Sequence, residues 1–147
     1  MLLQKESNPG LNTITAYGAG YVEINGQVYR HAVRLGPEGP VEQWLIEDIA
    51  QLTYAALREL AGVEDAAADP MAFLDNVGPA NTSGTEVVLI GTGDRQTLLP
   101  QSITAPLLRL GIGVESMSTQ AAARTYNILM AEGRRVIVAL IPPQETE

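Results

Sequence analysis

Three short apolar segments in the second half of the chain limit what it can fold into. Val87-Val88-Leu89-Ile90 and Val136-Ile137-Val138-Ala139-Leu140-Ile141 contain no polar residue. Between them GIGVESMSTQAAARTYN, residues 111–127, runs from a short apolar strand straight into a helix. An apolar run of four to six residues without alternation reads as a strand covered on both faces. The segments between supply helices. One spans residues 102–110, with Pro106 near its first turn and Gly111 as its stop. The other is capped by Ser118, turns the stripe Ala122, Tyr126, Leu129 and Met130 to the core and ends at Gly133. With a strand over residues 112–116, the order strand, helix, strand, helix, strand is two βαβ units, which imply right-handed crossovers and a parallel sheet.

The first half has a different period. Residues 12–24 place Ile14, Ala16, Gly18, Gly20, Val22 and Ile24 in alternation with more polar neighbours, as in one half-buried strand. Asn25-Gly26 marks a tight turn, residues 27–35 alternate again, and Gly36-Pro37-Glu38-Gly39-Pro40 breaks the run. A third short strand, residues 41–45, completes an antiparallel meander. Leu45, Ile49, Leu52, Ala56 and Leu60 then lie on one stripe, which predicts a helix over residues 47–61 with Glu47 and Asp48 in its first turn and Gly62 as its stop. The fold class expected is α/β with α+β character, an N-terminal antiparallel β meander followed by a βαβαβ parallel unit. Residues 63–85, rich in acids and alanines with only Met71, Phe73 and Leu74 as sizeable apolar anchors, read as a mobile acidic insertion in a single domain of residues 1–147.

Composition narrows the function. The absence of cysteine removes disulfides, thiolate nucleophiles and sulfur-ligated zinc, and a single histidine, His31, cannot build a multi-histidine metal site. The formal charge of -8 is concentrated in residues 59–86, which hold six acids and no base. With no cluster of Lys and Arg, nucleic-acid binding is disfavoured. The N-terminus lacks a secretory pattern and no apolar run approaches the ~20 residues of a spanning helix, so a cytoplasmic protein is expected.

In open α/β sheets, ligands bind beyond the carboxyl ends of the strands. That edge collects Gly91, Thr92, Gly93, Asp94, Arg95 and Gln96 after the first parallel strand, and Glu115, Ser116, Ser118 and Thr119 around the end of the second. Arg124 and Asn127 lie three apart on the following helix. Backbone donors, hydroxyls, two guanidinium groups and a carboxylate suit a small polar or anionic ligand. The same residues also have structural readings: the glycines turn the chain, Arg124 neutralises Glu115 and Ser118 caps a helix. The loop IGTGDRQ falls short of a dinucleotide fingerprint, because Gln96 stands where the third glycine belongs and Pro100 delays the helix. No lysine follows the glycines and no serine has a nucleophile-elbow context, so no catalytic residue, cofactor or metal is assigned.

ITAYGAGYVEING, VVLIGTGDRQ and GIGVESMSTQAAARTYNILMAEGRRVIVAL resemble a family of small domains of unknown function. Its mitochondrial members are respiratory complex I assembly factors, and an adipogenesis-associated domain protein is another animal member. The match covers residues 11–35 and 86–141. The resemblance implies a three-layer fold with a mixed central sheet, and implies no reaction. The family usually has Asp where this chain has Ser118 and commonly Cys where it has Ala123, so cysteine chemistry is not essential here; the 63–85 segment is longer than the family leads one to expect. The resulting expectation is a non-enzymatic protein-binding or assembly module with a protein partner or a homo-oligomeric state. A binder of a small polar or anionic ligand, or an enzyme, at the strand edge is the alternative.

Overall fold

The computed structural model describes residues 10–63 and 84–144. The expected mobile insertion falls on residues 64–83, outside the described residues; at its two ends Thr85 donates from Oγ1 to the Ala61 carbonyl at 3.0 Å.

The alternating N-terminal stretch is a hairpin rather than one strand. β1 (Ile14–Gly18) and β2 (Tyr21–Ile24) pair antiparallel, with Gly18 opposite Tyr21. A period of two runs unbroken through a two-residue turn, so alternation did not betray the reversal; Gly20 makes it, at a φ of 79° that a side chain would strain. After the Asn25-Gly26 turn, β3 (Gln27–Tyr29) completes a three-stranded meander.

The expected strand over residues 27–35 is also divided. β4 (Val33–Leu35) belongs to a second sheet, whose order is β5 (Glu42–Gln43), β4, β8 (Val136–Leu140), β6 (Val87–Gly91) and β7 (Gly113–Met117). The switch occurs at buried Ala32, whose N–H donates to the Glu47 carboxylate at 3.2 Å and whose carbonyl accepts from Trp44 N at 2.9 Å. The third strand of residues 41–45 shrinks to β5 (Glu42–Gln43), paired with β4 and not with the meander.

The helix expected over residues 47–61 breaks in two. Asp48 caps a single 3-10 turn, Ile49–Gln51, by accepting from Ala50 N at 3.0 Å. Leu52 and Thr53 are extended, and Thr53 starts α1 (Tyr54–Ala61) by accepting from Ala56 N at 3.1 Å; Gly62 ends it. Leu45, assigned to the apolar stripe, is 83% exposed, whereas Leu52, Leu57 and Leu60 are buried.

The C-terminal pattern is as expected, with small shifts. β6 (Val87–Gly91), α2 (Gln101–Leu108), β7 (Gly113–Met117), α3 (Thr119–Ala131) and β8 (Val136–Leu140) follow in order, and β6 lies parallel to both β7 and β8. Pro106 sits in the sixth position of α2 rather than its first turn. Because β4 runs antiparallel to β8, the five-stranded sheet is mixed. It forms the central layer. One face packs Val88, Ile90 and Ala139 against Leu57 and Leu60 of α1 and Leu107 of α2. The other packs Leu89, Val136, Val138 and Leu140 against Ala122, Ala123, Tyr126 and Met130 of α3 and against the meander. Burying whole aliphatic side chains on both faces, at roughly 1.5–3 kcal/mol each, is what selects the unalternating runs for β6 and β8.

Candidate functional site

The carboxyl ends of β6 and β8 meet the N-terminus of α3 at a closely bonded junction. Ser118 caps α3, its Oγ accepting from Ala121 N at 3.2 Å. Thr119 is fully buried: its Oγ1 accepts from Gly93 N at 2.8 Å and donates to the Ile141 carbonyl, while its own N–H donates to the Gly93 carbonyl at 2.8 Å. These contacts draw the helix end onto β6, and a Cβ on Gly91 would stand 3.0 Å from the Thr119 Cα. Thr92 Oγ1 donates to the Arg95 carbonyl, with the Met117 carbonyl 3.1 Å away, and accepts from Thr97 N at 3.1 Å. Gln96 Nε2 donates to the Ser116 carbonyl at 2.9 Å. The glycine loop is thus held by its own hydroxyls and amides. The amides of Thr119 and Ala121, which would otherwise face an anion at the helix end, are engaged.

Beside this junction lies an open cleft of about 850 Å³. Thr92, Gly93 and Arg95 line it, as do Asp94 and the segment Ile141, Pro142, Pro143 and Gln144 that follows β8. Gly20 from the β1–β2 turn, Arg30, and Glu47, Asp48 and Ile49 at the start of the 3-10 turn complete the lining. A smaller hollow of about 260 Å³ continues it toward Tyr17 and Gln120, sharing Gly93, Asp94, Pro143 and Gln144. Two straps fix the walls: Gly20 N donates to the Pro143 carbonyl at 2.7 Å, and Gln144 N donates to Asp94 Oδ2 at 3.2 Å. The lining carries both signs of charge, Arg30 and Arg95 beside Glu47, Asp48 and Asp94. Such a surface favours a partner carrying both signs of charge over a simple anion.

The residues singled out in the sequence therefore separate. Thr92, Gly93 and Arg95 line the cleft, and Gly91, Gln96, Ser118 and Thr119 build the junction beneath it. Glu115 and Arg124 are both exposed, so a deeply buried ion pair between them is not part of this molecule. Asn127 is buried two turns further along α3, about 12 Å from Thr119 at 1.5 Å per residue. Its amide bonds both ways to β1, Ile14 N to Oδ1 at 3.0 Å and Nδ2 to the Ile14 carbonyl at 2.8 Å. Asp94 lies on the strand edge read from sequence, and the segment after β8 was within reach of the same argument. Arg30, Glu47 and Asp48 were not, since a sheet switch and a 3-10 turn bring them in. Among the described residues no three His, Cys, Asp or Glu side chains gather as a metal site, and His31 lies edge-on to Tyr29 with its Nδ1 donating to the Ala32 carbonyl at 2.9 Å.

Residues 14–141, from the first strand to the end of the last, match the model of a family described as a protein of unknown function, DUF498/DUF598. The chain belongs to this family. An uncharacterized Rhodobacter capsulatus protein is 34% identical over 133 residues, covering 90% of this chain and 86% of that one. The human NADH dehydrogenase [ubiquinone] 1 alpha subcomplex assembly factor 3 is 43% identical over 58 residues, covering 40% of this chain but 32% of the human protein. Among solved structures, the solution structure of a Bordetella pertussis protein described as a Mth938-like domain superposes with a TM-score of 0.75 at 49% identity, covering 99% of this chain and 95% of that one. The DUF498/DUF598 fold is thus the three-layer arrangement around a mixed sheet described above. Among the described residues no helix is long and apolar enough to cross a membrane.

Proposed function

We propose that this DUF498/DUF598 protein is a non-enzymatic binding module of the cytoplasm that takes part in assembling a protein complex, and that the cleft beside Gly93 receives a partner's charged segment. The observation that carries this reading is the division of labour at the strand ends. The hydroxyls and amides that a catalytic or phosphate-binding loop would aim at its ligand are spent on holding the loop, while charges of both signs from three separate segments line the open cleft. Charges in that position set partner choice and association rate. The similarity to a mitochondrial assembly factor points the same way. The cleft's size also lies within the ~300–1,000 Å³ of small-molecule sites, which favours a small polar ligand as the second reading.

The test is cross-linking of the tagged full chain in its own cells, followed by calorimetry on the recovered pair. A protein partner whose cross-links fall around the cleft, and whose affinity drops at least about tenfold in the Arg30→Glu, Arg95→Glu double variant, is the expected result. Native mass spectrometry showing a reproducible small adduct instead, lost in Arg95→Ala, would replace this reading with the second.

A further inference from the structure

The charged side chains of the open cleft do not neutralise one another. Arg30 and Arg95 share the lining with Glu47, Asp48 and Asp94, yet among the described residues neither arginine takes part in an ion pair. Elsewhere in the chain arginines are neutralised, Arg34 by Glu59 and Arg134 by Glu86 at 3.3 Å. The acids of the cleft are held by main-chain N–H groups instead. Glu47 accepts from Ala32 N through both oxygens at 3.2 Å, Asp48 Oδ1 from Ala50 N at 3.0 Å and Asp94 Oδ2 from Gln144 N at 3.2 Å. The second oxygens of Asp48 and Asp94 take no hydrogen bond among the described residues. The Arg30 guanidinium lies over the Tyr21 ring, 5.9 Å from its centroid, and stacking of that kind leaves the N–H fork free in its own plane.

Main-chain groups in the same lining are already engaged. Gly93 is bonded through both its N–H and its C=O to Thr119, and Ile141 to Gly91 and Thr119. Pro142 and Pro143 carry no N–H, and the Pro143 carbonyl accepts from Gly20 N at 2.7 Å. A partner added as a further strand would find no row of free peptide groups, so its side chains must be what the cleft recognises. A volume of about 850 Å³ is roughly 9 Å across if equally wide in each direction, which holds about three residues of extended chain at ~3.3–3.6 Å each. On the binding-module reading of the cleft, we infer that the segment received is a short extended peptide with an acidic and a basic side chain within three residues of each other. The acid meets the guanidinium groups of Arg30 and Arg95, whose forks match a carboxylate. The base meets the open oxygens of Asp48 and Asp94. The lining then selects against single-sign segments, because the fixed acids repel a purely acidic one and the arginines a purely basic one.

NMR titration of the 15N-labelled full chain with three capped octapeptides, alternating Glu-Lys, all-Glu and all-Lys, tests this specificity. The alternating peptide has no net charge, so the general attraction of a chain of formal charge -8 for cations does not contribute to its binding. The expected result is saturable shifts at the amides of Gly93, Asp94, Arg95 and Gln144, with an affinity for the alternating peptide at least about tenfold above that of either single-sign peptide at the same amides. Arg95→Gln should weaken it several-fold and the Arg30→Glu, Arg95→Glu double variant should abolish it. An all-Glu or all-Lys peptide that saturates those amides as tightly overturns the inference. So does an alternating peptide whose binding is unchanged in both variants, or one that shifts none of these amides at its highest soluble concentration. A cross-linked protein partner whose cleft segment lacks such a charge pair also removes it while leaving the binding-module reading standing. Peptides bound as expected with no protein partner in cells would do the reverse.

Discussion

At the scale of single residues, two neighbours on α3 tie the N-terminal strand to the rest of the molecule. Asn127 supplies an acceptor and a donor to the peptide groups of Ile14, at a site from which water is excluded. Asn127→Ala leaves both peptide groups buried and unpaired, and chemical denaturation should show a loss of roughly 3 kcal/mol. Tyr126 packs its ring in the core and donates its hydroxyl to the Asn12 carbonyl at 2.8 Å. Burial pushes the hydroxyl well above its ordinary pKa of 10.0. The folded chain therefore keeps a proton that the unfolded chain releases above that pH. The stabilisation is complete below pH 10.0 and is lost as pH rises toward the folded-state value. Tyr126→Phe should cost about 1 kcal/mol near neutrality, and urea titrations on either side of pH 10.0 should show the gap between the two proteins narrowing in base. Sequence placed Tyr126 on the core stripe of its helix, and the structure supplies the partner of its hydroxyl. Asn127 was grouped with the ligand candidates because spacing places it on a helix face but cannot say what lies opposite that face.

Among the elements, α3 carries part of the core and, through Thr119, the junction beneath the cleft. Its start was legible in sequence, because a serine before an apolar stripe is a local signal that needs no tertiary partner. Ser118→Ala removes the acceptor for Ala121 N and should cost about 1 kcal/mol. Ser118→Asp, the residue the resemblance leads one to expect there, keeps the cap and adds a charge that complements the helix dipole, so thermal unfolding should show it equal to or more stable than the native chain by about 0.3–1 kcal/mol. The elements misread from sequence share one physical cause. In the β1–β2 hairpin and in the 3-10 turn before α1, the side-chain period runs on through a backbone interruption. Periodicity does not record whether the chain between two buried residues reverses or breaks, and where it breaks the stripe loses a member, as it does at Leu45. Leu52 and Leu60 are buried in one cluster although Leu52 and Thr53 are extended between the two helical pieces.

For the whole molecule, the cleft exists only where two sheets and the segment after β8 converge. Arg30 and Arg95 reach it from positions 65 residues apart, and both are exposed. Exposed charges change stability little, and the contact of the Arg30 guanidinium over the Tyr21 ring, 5.9 Å from its centroid, is worth about 0.5–1 kcal/mol, so the Arg30→Glu, Arg95→Glu double variant should unfold within about 1 kcal/mol of the native chain. That near-neutrality, checked by thermal denaturation, makes its effect on binding interpretable. An equally large loss of stability would assign the two arginines to the architecture instead.

The sequence by itself determined the α/β class, the βαβαβ order, the cap and stop of α3 and the family. Each depends on local patterning, on apolar runs of a given length or on a motif read within one segment. Tertiary structure alone decided that the first alternating stretch folds back on itself, that β4 leaves the meander to pair with β8, that Asn127 serves β1, and that Arg30, Glu47 and Asp48 line one cleft with Arg95. Those outcomes depend on which backbone groups find partners far along the chain, and the choice is made by the packing of both sheets against α3 rather than by any segment's own propensity.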